Sequence, residues 1–151
     1  MDALATTARA LTPMQKIDVL EARMVALGGK RQAVGEVLPE YPVRHHFTPG
    51  LYAREIFMPA GHVITSKVHK TEHPYVVSKG RLLVYRGDAG WTAIEAPHFG
   101  ITTPGTRRIL VILADTVWTT FHVTDLTDPA EIERTILEDY RNPLLEAGGV
   151  A

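Results

Sequence analysis

Seven histidines and no cysteine stand among the 151 residues, so any metal must be held by imidazole or carboxylate, and no thiolate nucleophile or disulfide can form. Two of the histidines are spaced for joint action. In GHVITSKVHKTEHPYVVSKG, residues 61–80, His69 closes one strand-like run, Lys70-Thr71 offers a turn, and His73 opens the next run. Side chains alternate faces along a strand, so Lys67 and His69 share a face that Val68 does not. A chain reversing at Lys70-Thr71 returns His73 towards His69. Two converging imidazoles suit a borderline divalent ion such as Zn, Fe, Mn, Ni or Cu. His45 and His46 read instead as solvated residues of a Pro-bounded surface segment, and His62 and His98 as residues of strand edges or turns.

The elements that must position this hairpin are short strands. From Leu51 onward, segments near 51–58, 62–69, 74–78, 81–86, 91–95, 108–113 and 116–123 are rich in Val, Ile, Thr, Tyr and Phe. Turn residues such as Pro59-Ala60-Gly61, Lys79-Gly80, Gly87-Asp88-Ala89-Gly90, Pro97 to Gly100 and Pro104-Gly105 separate them. With no helix between strands, the pattern predicts an antiparallel sandwich or barrel over about 45–125. The stretch 36–49, punctuated by Pro39, Pro42 and Pro49, reads as irregular.

A helix over about 12–28 precedes the barrel. Thr12-Pro13-Met14-Gln15 carries a capping box, Ile17, Leu20, Met24 and Leu27 recur at helical spacing, and Gly28-Gly29 stops the run. A second helix, over about 128–141, starts at Asp128-Pro129 and places Ile132, Ile136, Leu137 and Tyr140 on one face. Both stripes are expected to dock on the barrel or on a second subunit. The tail from Asn142 to Ala151 reads as loose. The whole is expected to be a single domain over 1–151.

Composition excludes several classes. A net charge of -1, with 45% apolar and 22% charged residues, is ordinary for a folded domain and offers no basic footprint for nucleic acid or an anionic membrane. No apolar run approaches the roughly 20 residues of a membrane span. Met1-Asp2-Ala3-Leu4 lacks a charged-then-apolar signal, so the expected location is the cytoplasm. The chain carries no phosphate-cradling glycine loop, no Gly-x-Ser-x-Gly elbow and no His-Glu-x-x-His helix.

The 61–80 stretch resembles the first cupin motif: glycine, five residues, His-x-His, three or four residues, Glu, six residues, glycine. Gly61 and Gly80 are its glycines, His69 is its second His, Lys67 stands at its first His position and His73 at its Glu position. Thr103-Pro104-Gly105-Thr106-Arg107-Arg108 looks like a degenerate second motif, with Arg108 where a last His would lie. A guanidinium stays protonated and repels cations, so the usual four-ligand set is absent. The replacement ligand is either His122 or Glu72. His122 shares a strand face with Trp118 and Thr120, Val117, Phe121 and Val123 share the other, and alternation does not say which lines the interior.

The order HHF, YAREIFMPAG, KVHKTEHPYVVSKG, EAPHF, PGTRR and DTVWTTFHVTD is similar to that in a group of small cupin-like proteins encoded by tailed bacteriophages and prophages, within the RmlC-like cupin superfamily. The resemblance covers nearly the whole chain. It implies an all-β, cupin-type antiparallel β-barrel (double-stranded β-helix, or jelly roll) with a helix at each end, and a phage or prophage origin in the host cytoplasm or the virion. It implies no substrate, since the fold hosts many activities.

Three functions remain in view. The first is a divalent metal held by His69 and His73 with His122 or Glu72, where Lys67 and Arg108 orient a small anion and Tyr75 and Trp118 line the pocket. The second is a non-catalytic virion or assembly component, homo-oligomeric or bound to phage structural proteins. The third is a small-molecule sensor. No residue is singled out as catalytic.

Overall fold

A computed structural model of the chain describes residues 10–30 and 38–147. The N-terminal Met1-Asp2-Ala3-Leu4, the start of the 36–49 segment and the final Gly148-Gly149 lie outside those residues.

The chain runs α1 (Pro13–Ala26), β1 (Val43–Thr48), β2 (Leu51–Met58), β3 (Val63–Thr65), β4 (His73–Tyr85), β5 (Thr92–Glu95), β6 (His98–Thr102), β7 (Ile109–Val123), α2 (Pro129–Ile136) and α3 (Pro143–Ala147). All strand pairs are antiparallel. Two strands organise the rest. β4 and β7 pair along most of their length, from Tyr75↔Thr120 to Tyr85↔Ile109. At one end their neighbours are β6 beyond β4 and β2, then β1, beyond β7. At the other end the neighbours are β5 and β3. The result is two half-sheets, β1-β2-β7-β4-β6 and β3-β7-β4-β5, that share both long strands.

The bend between the halves has a local cause. The register slips at Val77/Lys79, Lys79/Arg81 and Arg81/Leu82, around Gly80 with φ +103°. A Cβ at Gly80 would collide with Thr116 and with the Asp115 backbone, so only glycine fits there. This is a bulge where the sequence suggested a turn, and 74–78 and 81–86 form one strand across it. The breaks expected near 114–115 and 97–100 differ likewise: β7 continues through the first, and β6 occupies the second. His45 and His46 lie on β1, not in an irregular segment. The Pro residues mislead here because Pro42 and Pro49 flank the strand and do not interrupt it. The 62–69 run keeps only three residues in register, after which the chain leaves the sheet.

Apolar side chains fill the space between the halves: Met58, Tyr75, Val77, Leu82, Val84, Ile94, Leu110, Ile112 and Trp118 form the main core. A second cluster joins Tyr52 to Ile132, Ile136 and Leu137, seating α2 on the open end of the first half. α2 is shorter than expected. It stops at Ile136, and Leu137 bridges to His69 in extended form, so Tyr140 is not on its face.

α1 begins with the capping box, Thr12 and Gln15 each accepting the other's backbone N–H at 3.0 and 3.2 Å. Its docked side differs from the apolar stripe. Ile17 and Asp18 are buried, whereas Leu20 and Leu27 stay exposed. The physical reason is Arg107, which donates to Asp18 at 2.8 Å and to Glu21 at 2.6 Å with all but a few per cent of its side chain buried. Tyr140 donates to the same Asp18 carboxylate at 2.8 Å, and Asn142 donates to the Asp18 carbonyl at 2.9 Å. α1, the 103–108 loop and the C-terminal segment are thus tied at one point.

Removing one partner of a buried pair leaves the other uncompensated. Arg107→Ala is therefore expected to lower the unfolding free energy by roughly 3–5 kcal/mol. Arg141→Ala, which breaks an exposed 3.5 Å pair with Asp139, is expected to stay within about 0.5 kcal/mol. Urea unfolding of the two variants checks this contrast.

Candidate metal centre

Register sets the site. On the first half-sheet the inward residues form cross-strand rows. One row runs Phe47, Tyr52, His122, His73, Thr102, from the pairs Phe47↔Tyr52, Tyr52↔His122 and His73↔Thr102. The next runs His45, Arg54, Thr120, Tyr75, Gly100. His73 lies two residues before Tyr75, and His122 two after its partner Thr120, so the two imidazoles stand side by side with centroids 4.5 Å apart. The inward face of β7 is therefore the one bearing Trp118, Thr120 and His122. Val117, Phe121 and Val123 point outward.

His69 arrives from outside the sheet. Its segment is held by backbone bonds to the chain after α2: Lys70 N–H to the Ile136 carbonyl at 2.7 Å and Glu138 N–H to the Val68 carbonyl at 2.9 Å. Gly105 N–H also donates to the His69 carbonyl at 3.0 Å. These bonds place the His69 ring 4.4 Å from His73 and 5.7 Å from His122, centroid to centroid. One ligand nitrogen from each of the three lies within 4.8 Å of the other two. Glu72 is exposed and outside this group, because it precedes the strand on the solvent side of the turn.

The nitrogens are prepared as lone-pair donors. His73 Nδ1–H donates to the Thr71 carbonyl at 3.0 Å, which leaves Nε2 as the basic atom. His122 Nε2 meets the Thr120 hydroxyl at 3.0 Å, while its Nδ1 is buried with no hydrogen-bond partner. Burial, with the neighbouring imidazoles and the cations Arg54 and Arg108, pushes His69 down to about 3. Burial, His73 and Arg54 push His122 down to about 4. Burial and Arg108 lower His73 also, against its bond to Thr71. All three are neutral at pH 7, the form that binds metal.

The other sequence candidates part company. Arg108 is buried beneath the cluster, donating from Nη2 to Thr102 Oγ1 at 3.1 Å, with its guanidinium 5.4 and 5.8 Å from the Tyr75 and Trp118 ring centroids. Those two rings stack at 4.3 Å within the main core. Lys67 lines a different space, a cavity of about 310 Å³ between α1 and the sheet that includes Glu21, Tyr41, Arg107 and Tyr140. Leaving the sheet after Thr65 removes the strict alternation that put Lys67 beside His69. Neither that cavity nor a second one of about 370 Å³ near Pro13 and Arg86 is lined by the histidines, whose rings close on one another.

The remaining histidines have partners of their own. His45 Nδ1 meets Tyr52 OH at 2.6 Å, His46 meets Glu55 at 3.1 Å, His62 meets Tyr41 OH at 2.8 Å and His98 meets Tyr75 OH at 3.2 Å. Sequence reasoning missed Arg54. The signal was present: Tyr52, Arg54, Ile56 and Met58 alternate onto one face, and Arg54 is the lone cation in that row.

The strand order and the inward trio of histidines define an all-β, cupin-type barrel with a candidate metal centre at one end. No protein-family model matches the chain, and no curated protein matches it. Among solved structures it is similar to an RmlC-like cupin with a double-stranded β-helix fold from Methanocaldococcus jannaschii, at 11% identity over 69% of this chain and 98% of that one, TM-score 0.46. It is similar to the cupin domain of Schizosaccharomyces pombe Cnp3, at 17% identity over 74% and 79%, TM-score 0.48. An HTH_3 family transcriptional regulator from Vibrio cholerae matches at 15% over 56% of this chain, TM-score 0.46, and the chain spans about half, 51%, of its length. The fold assignment rests on the strand pairing itself. No helix among the described residues is long and apolar enough to cross a membrane.

The depressed imidazoles link stability to pH. An unfolded histidine takes up its proton near 6.5, whereas folded His69 and His122 refuse it until about 3 and 4. Their contribution is complete above about pH 6.5 and is lost as pH falls through that window. Metal-free wild type is expected to lose stability steadily between pH 6.5 and 4, and His69→Gln/His122→Gln to show a shallower slope in urea midpoints over the same range.

Proposed function

We propose that the chain binds one divalent metal ion through His69, His73 and His122 and that a small anionic molecule is the partner of that ion. The observation that carries this reading is the buried, unpartnered Nδ1 of His122 within a group of three neutral imidazoles. A polar atom buried without a partner is costly, and a bound ion is one recognised reason for tolerating it. Three nitrogen ligands leave coordination positions open, which is the pattern of reactive and not of closed structural sites. An ion held there supplies a Lewis acid to an oxygen ligand. Zn, Fe, Mn and Ni all accept imidazole.

A second reading has its own observation. The outward face of the first half-sheet exposes Phe99, Ile101 and Val123, the last at 91%, beside Val117 and Phe121. An apolar sheet face of this kind suits a homo-oligomer or a structural partner, and with the phage-like wording of the sequence it supports a virion or assembly role in the host cytoplasm or the particle. The two readings are compatible.

Elemental analysis of untagged protein purified without chelator is expected to find about one divalent ion per chain, lost in His69→Ala/His73→Ala. A metal-free wild type as stable as that variant overturns the metal reading. Light scattering is expected to give a dimer or larger, reduced to monomer by Phe99→Asp; a monomeric wild type removes the second reading in its homo-oligomeric form.

A further inference from the structure

Among the described residues, Arg54 is the cation whose charge bears on both His69 and His122. It lies on the inward face of β2 between Tyr52 and Ile56, opposite Thr120 on one side and His45 on the other. Thr120 is the residue whose hydroxyl meets His122 Nε2. Arg54 is thus one row below the line of Tyr52, His122 and His73, and inward side chains of adjacent rows are within reach of a long side chain. It is half-buried, no hydrogen bond or ion pair is seen for it among the described residues, and the Glu133 carboxylate acts with it on His45 and Tyr52. Its charge nevertheless acts on His69, His122, His45 and Tyr52, which agrees with a guanidinium directed into this end of the barrel.

The other arginine of the region is engaged. Arg108 donates to Thr102 and lies over Tyr75 and Trp118. A guanidinium has five donors in a planar fork matched to a carboxylate, so a half-buried one beside a metal-type site suits an anion. The three imidazole centroids are only 4.4 to 5.7 Å apart and neither cavity reaches them, so an anion lodged beside them has few heavy atoms.

We propose that Arg54 anchors the carboxylate of a small monocarboxylic acid beside the three histidines, making it the residue that selects an anionic ligand for this site. One carboxylate oxygen pairs with the Arg54 fork, and the ligand's other oxygen faces the histidine nitrogens. This rests on the metal reading only for the second contact; the first is independent of it.

The test uses full-length wild type, Arg54→Gln and Arg54→Lys, each with its metal content and melting temperature measured. Acetate is titrated into Co(II)-loaded protein by visible absorption and into metal-free protein by chemical shifts of the Thr120 methyl and the His122 ring. Acetamide is the neutral control and inorganic phosphate the rival anion. Acetate is expected to bind wild type at least tenfold more tightly than Arg54→Gln, with Arg54→Lys between, and acetamide is expected not to bind. Equal acetate affinity in wild type and a folded Arg54→Gln overturns the proposal, and phosphate binding more tightly than acetate overturns the carboxylate assignment. Should Co(II) fail to bind, the metal reading falls alone, and the metal-free titration still decides the role of Arg54: an Arg54-dependent shift upholds it and an unchanged spectrum overturns it. A variant that melts early is replaced by Arg54→Met, judged by the same criteria.

Discussion

The pairing of β4 with β7 governs everything else in this molecule. Two strands of 13 and 15 residues cannot stay flat together over that length without splaying from the right-handed twist of a sheet. The bulge at Gly80 resolves this by bending both strands at once, so each serves two half-sheets and the core closes between them. Because the pairing is antiparallel, the first residue of β4 meets the end of β7. His73 and His122, 49 positions apart, become neighbours by register alone.

That register also explains the chemistry of the interior. Each inward row changes character along the barrel, from the apolar Trp118 and Val77, through Thr120 and Tyr75, to the imidazoles at the open end. Desolvation there keeps the histidines neutral, and neutral imidazoles are ligands and not cations. Two guanidiniums reinforce the effect by disfavouring further positive charge. Arg108 does so while spread over two aromatic faces that temper it, whereas Arg54 acts on His69 and His122 from β2.

The third histidine depends on distant parts of the chain. His69 is outside the sheet, and its place is set by backbone bonds to residues 136–138 and to Gly105. Those segments are fixed in turn by the network of Asp18, Arg107, Tyr140 and Asn142, which ties α1 to the loop before β7 and to the C-terminal segment. α1 and the segment around residues 136–142 therefore act as supports for the site.

Read as text, the sequence determined the all-β class, because apolar alternation and turn residues are local signals, and it determined α1 through its cap. It placed His69, His73 and His122 among the candidates, since residue type and motif spacing are local too. Which face of β7 points inward was decided only by the tertiary structure, for both faces carry large apolar side chains and only closure of the barrel distinguishes them. The same is true of Lys67, Glu72 and Arg54. Strand alternation misplaced Lys67 where the chain leaves the sheet, Glu72 stayed in solvent, and Arg54 gained meaning only when β2 was set beside β7. Long-range pairing brings these groups together, and no local preference encodes it.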